Sequence, residues 1–301
     1  MPCCFVSMDM QSSLMMRSLL WLGLSLVLLA SCKKEDAPPP QEYPGISYGF
    51  EEPLEAWVEQ GGGGERAFEA DIQQSSLQAR TGTSSGLFTV SPDSYVANGK
   101  RAELTFDQGA GEGVLSSYRW SLFIPADYPD VVLRDETGAP NWQVIGQWHQ
   151  QPVWEDGEDW EDFTGIGASP PVAVYYNYLS TGDPAYQQAL NDPALRDLPG
   201  FDPDWDEVST LTFVTGGESV LISQIQKGQW QDIRMDIYWS QGADGYIRVW
   251  LNNSALHDGP LYGATMLNKA SHYFKIGLYR NPRITVTHQL YIDAIEVAEI
   301  N

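Results

Sequence analysis

Apolar and polar residues alternate along this chain in short runs. A period of two is the mark of a β-strand, whose successive side chains point to opposite faces. Such runs fall at residues 76–79, 86–90, 101–106, 117–124, 142–149, 172–178, 210–213, 230–239, 246–251, 272–279 and 290–297. Breaks rich in Gly, Pro and Asp separate them; 239–245 reads as a hairpin loop and 61–64 as a flexible glycine loop. One helical-looking stretch, 185–195, lies in a long Asp- and Pro-rich segment, 182–206, of a length that is usually functional or disordered. The chain has no sustained 3.6-residue period and no internal repeat. The expectation is an all-β protein, a two-sheet antiparallel β-sandwich of jelly-roll type.

Three of these runs carry reactive side chains on one face only. Arg101 and Glu103 share a face, with Ala102, Leu104 and Phe106 on the other. Gln147 and His149 point together, with Trp148 behind them. Tyr273, Lys275, Gly277 and Tyr279 point together, backed by Phe274, Ile276 and Leu278. Taken singly, each has a plain reading: a strand histidine beside a tryptophan is more often structural, and a Tyr/Lys face is more often solvated sheet surface. Taken together, they read as the polar floor of a sheet that handles an anionic sugar.

The order R-x-E-L, Q-x-H, Y-F-K-x-G-x-Y, at 101–104, 147–149 and 273–279, resembles the signature of β-jelly-roll polysaccharide lyases. These include alginate lyases of that fold and, more closely, the heparin lyase I and glucuronan lyase group. Segments 118–125, 170–174 and 246–251 agree with the second group, and the resemblance runs from about Gly49 to the C-terminus. Alginate enzymes usually carry a second Arg two residues after the Glu, where Thr105 stands here, which weakens an alginate assignment. The resemblance implies a concave cleft and β-elimination of a 1,4-linked uronate polysaccharide, with a glucuronan-like substrate favoured.

In that reaction the C5 proton is lost, the C4–O bond breaks and a C4=C5 double bond remains. It needs donors at the carboxylate, a base at C5 and an acid at O4. Arg101 and Gln147 are expected to serve the carboxylate, and His149 to act as a further donor or as the base. Tyr279 is expected to deliver a proton to O4, with Lys275 beside it favouring the phenolate. Where the C5 hydrogen and O4 lie on the same side of the ring, as in glucuronate, Tyr279 can perform both transfers. Where they lie on opposite sides, as in iduronate, His149 would be the base and Tyr279 the acid. Glu103 is expected to organise Arg101 or Lys275, or to be a surface ion pair. Tyr273, Arg280, Arg248 and Trp250 are expected to bind substrate, although Trp250 fits the core equally well.

The first 44 residues add an address. An apolar run before Leu29-Ala-Ser-Cys32 reads as a lipoprotein signal over 1–31, with lipidation at Cys32, a Pro-rich tether over 32–44 and the lyase domain over 45–301. The expected location is the outer membrane, at the cell surface or on the periplasmic side, with membrane contact through the lipid alone. The other cysteines, Cys3 and Cys4, precede that point, so a chain starting at Cys32 forms no internal disulfide.

A net charge of −23 argues against nucleic acid and against anionic membrane surfaces, and it sits awkwardly with a polyanionic substrate. The basic residues Lys100, Arg101, Lys275, Arg280 and Arg283 cluster at the reactive runs, whereas many acids lie elsewhere, notably in 154–162. A monomer is expected. No cofactor is expected for catalysis; the resemblance suggests a structural calcium, for which Glu51, Glu52 and Asp293 have the oxygen ligands. Two rival functions remain: a non-catalytic glycan-binding surface lipoprotein, and a jelly-roll glycoside hydrolase, which would need two carboxyl groups across the scissile bond.

Overall fold

The alternating runs pair into two antiparallel sheets. The computed structural model describes residues 45–59, 62–63, 71–96, 99–106, 109–161 and 170–300. The expected signal, Cys32 lipidation and tether lie outside the described residues. Among the described residues, one sheet has nine strands and the other seven. The first runs in the order β13 (Ser254–Ala255), β12 (Tyr246–Leu251), β11 (Trp230–Tyr238), β6 (Leu115–Phe123), β16 (His288–Glu299), β4 (Ser85–Val90), β3 (Asp71–Ser75). Strand β1 (Ile46–Tyr48) pairs with β16, and β14 (Leu261–Tyr262) with β12. The second runs in the order β10 (Glu218–Ile225), β9 (Val208–Thr215), β8 (Val172–Leu179), β7 (Gln143–His149), β15 (Tyr273–Arg280), β5 (Lys100–Phe106), β2 (Gly62–Gly63).

The apolar face of each sheet meets the other to form the core. Trp148 and Phe274, the residues behind the reactive faces of β7 and β15, stack with ring centroids 5.0 Å apart. They pack on Tyr118 and Trp120 of β6 in the opposing sheet, with Tyr118–Trp148 at 4.9 Å and Trp120–Phe274 at 6.3 Å. This layer of buried aromatics fixes the height and tilt of the two strands that carry the site.

Every residue of β9 is buried, because both of its faces are covered. The 182–206 segment supplies part of the second cover. It forms helices at Pro184–Leu190 and Pro193–Arg196 rather than one continuous helix. Asp192 breaks it and caps the second helix by accepting from the Ala194 N–H at 3.0 Å, with Pro193 behind it. Leu195 and Leu198 then pack against Leu179, Val208 and Ile222 of β8, β9 and β10.

Several expectations are corrected. The strand placed at 76–79 is β3, at Asp71–Ser75, where only Ile72 is buried, so there is almost no apolar period to read. Strand β10 had no counterpart, although Gly216 and Gly217, at φ 62° and 78°, make the turn into it from β9. The glycine loop contains the short strand β2, paired with β5.

Candidate active site

The seven-stranded sheet brings the three reactive faces side by side, with β15 between β7 and β5. Across β15 and β5, Tyr279 pairs with Arg101 and Gly277 with Glu103. Across β15 and β7, Tyr273 pairs with His149 and Lys275 with Gln147. Because pairing in register keeps like faces together, these residues form one polar floor.

At its centre, Gly277 leaves the middle strand bare, and Glu103 and Gln147 meet across it. Gln147 Nε2 donates to Glu103 Oε1 at 2.5 Å, and Arg101 Nη1 donates to Glu103 Oε2 at 3.3 Å. Gly277 adopts φ 146°, and a methyl there would fall 2.1 Å from the Ala102 carbonyl oxygen, so no larger residue fits this backbone. Glu103, Gln147 and Lys275 are buried. Glu103 therefore contacts both Arg101 and Gln147.

One end of the floor belongs to Tyr279. The Arg101 guanidinium lies 3.8 Å over its ring, and Trp142 packs edge-on at 4.7 Å. Arg101 Nε has no hydrogen-bond partner although it is buried, leaving a charged donor unspent. Gly99 makes room for the pair: a methyl there would come within 2.5 Å of Tyr279 Cε2 and 2.9 Å of Arg101 Nη2. Tyr175 of β8 also faces this end; burial, then the nearby Tyr279, raises its phenol above the usual range. The cation beside Tyr279 is Arg101 and not Lys275 as expected, since the Lys275 ammonium lies 5.0 Å over the ring of Tyr273.

The other end belongs to His149. Its Nδ1–H donates to the Gln150 carbonyl at 2.8 Å, which leaves Nε2 as the lone-pair nitrogen of the neutral ring. Burial, followed by the charges of Lys275 and Arg101, lowers its pKa, against the opposing pull of the Gln150 carbonyl and Glu103. The ring sits 5.3 Å from Tyr273 and 6.0 Å from Trp160. Tyr279 lies six residues along β15 from the partner of His149, with a register shift between Ile276 and Tyr279. The β7 partner of Tyr279, Val144, is five residues from His149, so at about 3.4 Å per residue roughly 17 Å of strand separates the two backbone positions.

Three expected substrate-binding residues lie elsewhere. Arg280 follows Tyr279 and so takes the opposite face of β15; it is fully buried and bonds His288 Nδ1 at 2.9 Å. Arg248 and Trp250 belong to β12 of the nine-stranded sheet, on the face opposite its buried residues Ile247, Val249 and Leu251. Trp250 there stacks under Arg234, at 4.4 Å. Arg283 is taken by Asp135 at 2.7 Å. Two of the carboxylates named for calcium, Glu51 and Asp293, meet one loop at residues 80–84. Glu51 accepts from Thr83 N and Ser84 N at 2.8 and 2.9 Å, and Asp293 from Arg80 N and Thr81 N at 2.8 and 2.9 Å. Glu52 is exposed. Among the described residues no three His, Cys, Asp or Glu side chains converge as metal ligands.

A family model described as polysaccharide lyase matches residues 54–296. The chain belongs to the polysaccharide lyase family. It is an enzyme of that class, and polysaccharide is its substrate class. Among solved structures it is similar to the endo-β-1,4-glucuronan lyase of the fungus Trichoderma reesei, at 14% identity and TM-score 0.52, covering 77% of this chain and 87% of that one. It is also similar to the alginate lyase Aly36B, at 10% identity and TM-score 0.48 over 87% and 99% of the two chains. A third is the alginate lyase of Aplysia kurodai, at 9% and 0.42 over 76% and 87%. No curated protein sequence matches the chain. The first of these structures bears out the jelly-roll fold.

Sequence reasoning missed Gly99, Trp142, Tyr175 and Trp160. Tyr175 was open to it, since Ala173, Tyr175 and Asn177 share a face by alternation. Gly99 and Trp142 lie just before or at the start of their runs, where no period marks a face.

Proposed function

We propose that this lyase cleaves a 1,4-linked, glucuronate-containing polysaccharide by β-elimination, with Tyr279 making both proton transfers. The observation that carries this reading is the register that sets Tyr279 with Arg101 at one end of the floor and His149 at the other. One residue on one side of the ring suffices for glucuronate, whereas the opposite-side route needs two residues at a single sugar.

In this route the uronate carboxylate lies against Arg101, whose Nε is unspent. The Tyr279 oxygen, as phenolate, takes the C5 proton. The C–H electron pair becomes the C4=C5 bond, the C4–O pair leaves on O4, and Tyr279 returns the proton to O4. Charge that builds on the carboxylate is met by the Arg101 guanidinium, held in place by Glu103. A hydrolase reading is disfavoured because Glu103 is the one carboxylate on these three described strand faces, and it is committed to Arg101 and Gln147.

The test is a pair of variants assayed on a glucuronate polymer by the ultraviolet absorbance of the new conjugated double bond. Tyr279→Phe removes one oxygen and should lower kcat at least ~10²-fold with little change in binding. His149→Ala should retain measurable turnover. Near-normal kcat in Tyr279→Phe rules out the mechanism, and complete loss in His149→Ala on this polymer favours the two-residue route.

A further inference from the structure

The end of the floor remote from Tyr279 carries its own recognition features. Trp154 and Trp160 are 55% and 48% exposed, a large share for indoles. Their rings meet edge-on at 6.0 Å, and Trp160 stands nearly perpendicular to Tyr273, with 6.3 Å between centroids and 85° between planes. It therefore forms a wall above the His149–Tyr273 floor. The segment before it is fastened down: Gln150 Nε2 donates to the Ala270 carbonyl at 2.7 Å and Gln151 Nε2 to the Ser271 carbonyl at 3.2 Å. Lys269 holds Glu155 and Asp156, at 3.0 and 2.9 Å. An exposed aromatic wall on a pinned segment suits the apolar C–H face of a sugar ring.

The charge at this end decides which sugar. Glu155, Asp156, Glu158, Asp159 and Glu161 flank the two indoles in sequence, and Lys269 pairs with the first two of them. Lys275 is buried beneath, and His149 is neutral around pH 7 because its pKa lies below the ordinary histidine value. A uronate here would bring its carboxylate to an acidic rim.

We propose that Trp160 forms a distal subsite for an uncharged sugar, so that the substrate alternates glucuronate with neutral residues. This rests on the lyase reading above and narrows it: the uronate sits at Arg101 and Tyr279, and the neutral sugar stacks on Trp160 beside His149.

The experiment uses the full chain with Tyr279→Phe, so that binding is read without turnover. Calorimetry compares two oligosaccharides of equal length, one all glucuronate and one alternating glucuronate with a neutral hexose. At low salt the alternating chain should bind at least ten-fold tighter. The gap should narrow as salt shortens the screening length toward ~10 Å at 0.1 M. Adding Trp160→Ala should weaken the alternating chain at least ten-fold, and Trp160→Phe should recover most of that loss. Equal or tighter binding of the all-glucuronate chain at low salt overturns the proposal, as does an unchanged affinity in Trp160→Ala. The unmutated protein keeps the two readings apart. A double bond formed with an all-glucuronate preference removes the neutral subsite alone, whereas no double bond from either polymer removes the elimination mechanism on which it rests.

Discussion

At the scale of single residues, the floor works through commitments already made before substrate arrives. Glu103 spends both oxygens on Arg101 and Gln147, and the Nδ1–H of His149 is spent on the Gln150 carbonyl. Among the described residues, Arg101 Nε has no partner and the His149 Nε2 keeps its lone pair. The state of His149 is checkable. Burial lowers its pKa first and Lys275 lowers it further, so an NMR titration should place its midpoint below 6.5. Lys275→Met removes one of the depressing charges, and the midpoint should move up. A midpoint above 6.5 in the unmodified chain would contradict the environment described. The identities on the floor were legible because strand alternation assigns faces. Which cation meets which ring was not legible, since that depends on cross-strand register: Arg101 faces Tyr279, and Lys275, four residues back along β15, covers Tyr273 instead.

At the scale of elements, glycines on and beside the floor decide how closely strands and side chains approach. Gly277 lets Glu103 reach Gln147 across β15, and Gly99 leaves space for the Arg101–Tyr279 stack. Gly99→Ala places a methyl 2.5 Å from Tyr279 Cε2, against movable side-chain atoms rather than backbone. The fold should absorb it, with a melting temperature within a few degrees of the parent. Displacing the ring by about 1 Å should still lower kcat/KM by ~10- to 100-fold. Unchanged kcat/KM would mean that the stack is not the reactive arrangement. The same scale shows where reading by period fails. Strand β3 has one buried residue, and β9 is buried throughout because Leu195 and Leu198 help to cover the face that alternation would leave wet. Arg280 and Trp250 are sugar-binding residue types, but the parity of one strand and the sheet membership of the other place them outside the floor.

At the scale of the whole molecule, the sandwich keeps titratable rings in its interior, and this ties stability to pH. His272 is fully buried, stacked 3.5 Å from Trp239 and bonded to the Tyr118 hydroxyl at 2.9 Å. Burial pushes its pKa down to about 3. His288, between Arg280 and the Pro129 carbonyl, is pushed down to about 4 by burial and then by the Arg280 charge. Both folded-state values lie below the ordinary 6.5, so the unfolded chain binds these protons first as pH falls. The stability they contribute is whole above about pH 6.5 and is lost progressively as pH drops through 4 and then 3. Between about pH 6 and 5 most carboxylates stay ionised in both states, and the histidines dominate the slope. Each contributes close to 1.4 kcal/mol per pH unit there once its unfolded form is protonated. Chemical denaturation across that window should therefore show stability falling with acid, and His272→Phe, which keeps a ring against Trp239 but cannot titrate, should flatten the slope by about one proton. The variant forfeits the Tyr118 hydrogen bond and will be less stable at neutral pH, so the slope rather than the absolute stability is the measurement. An identical slope in parent and variant would mean that His272 is protonated in the folded protein, against its complete burial among Tyr118 and Trp239.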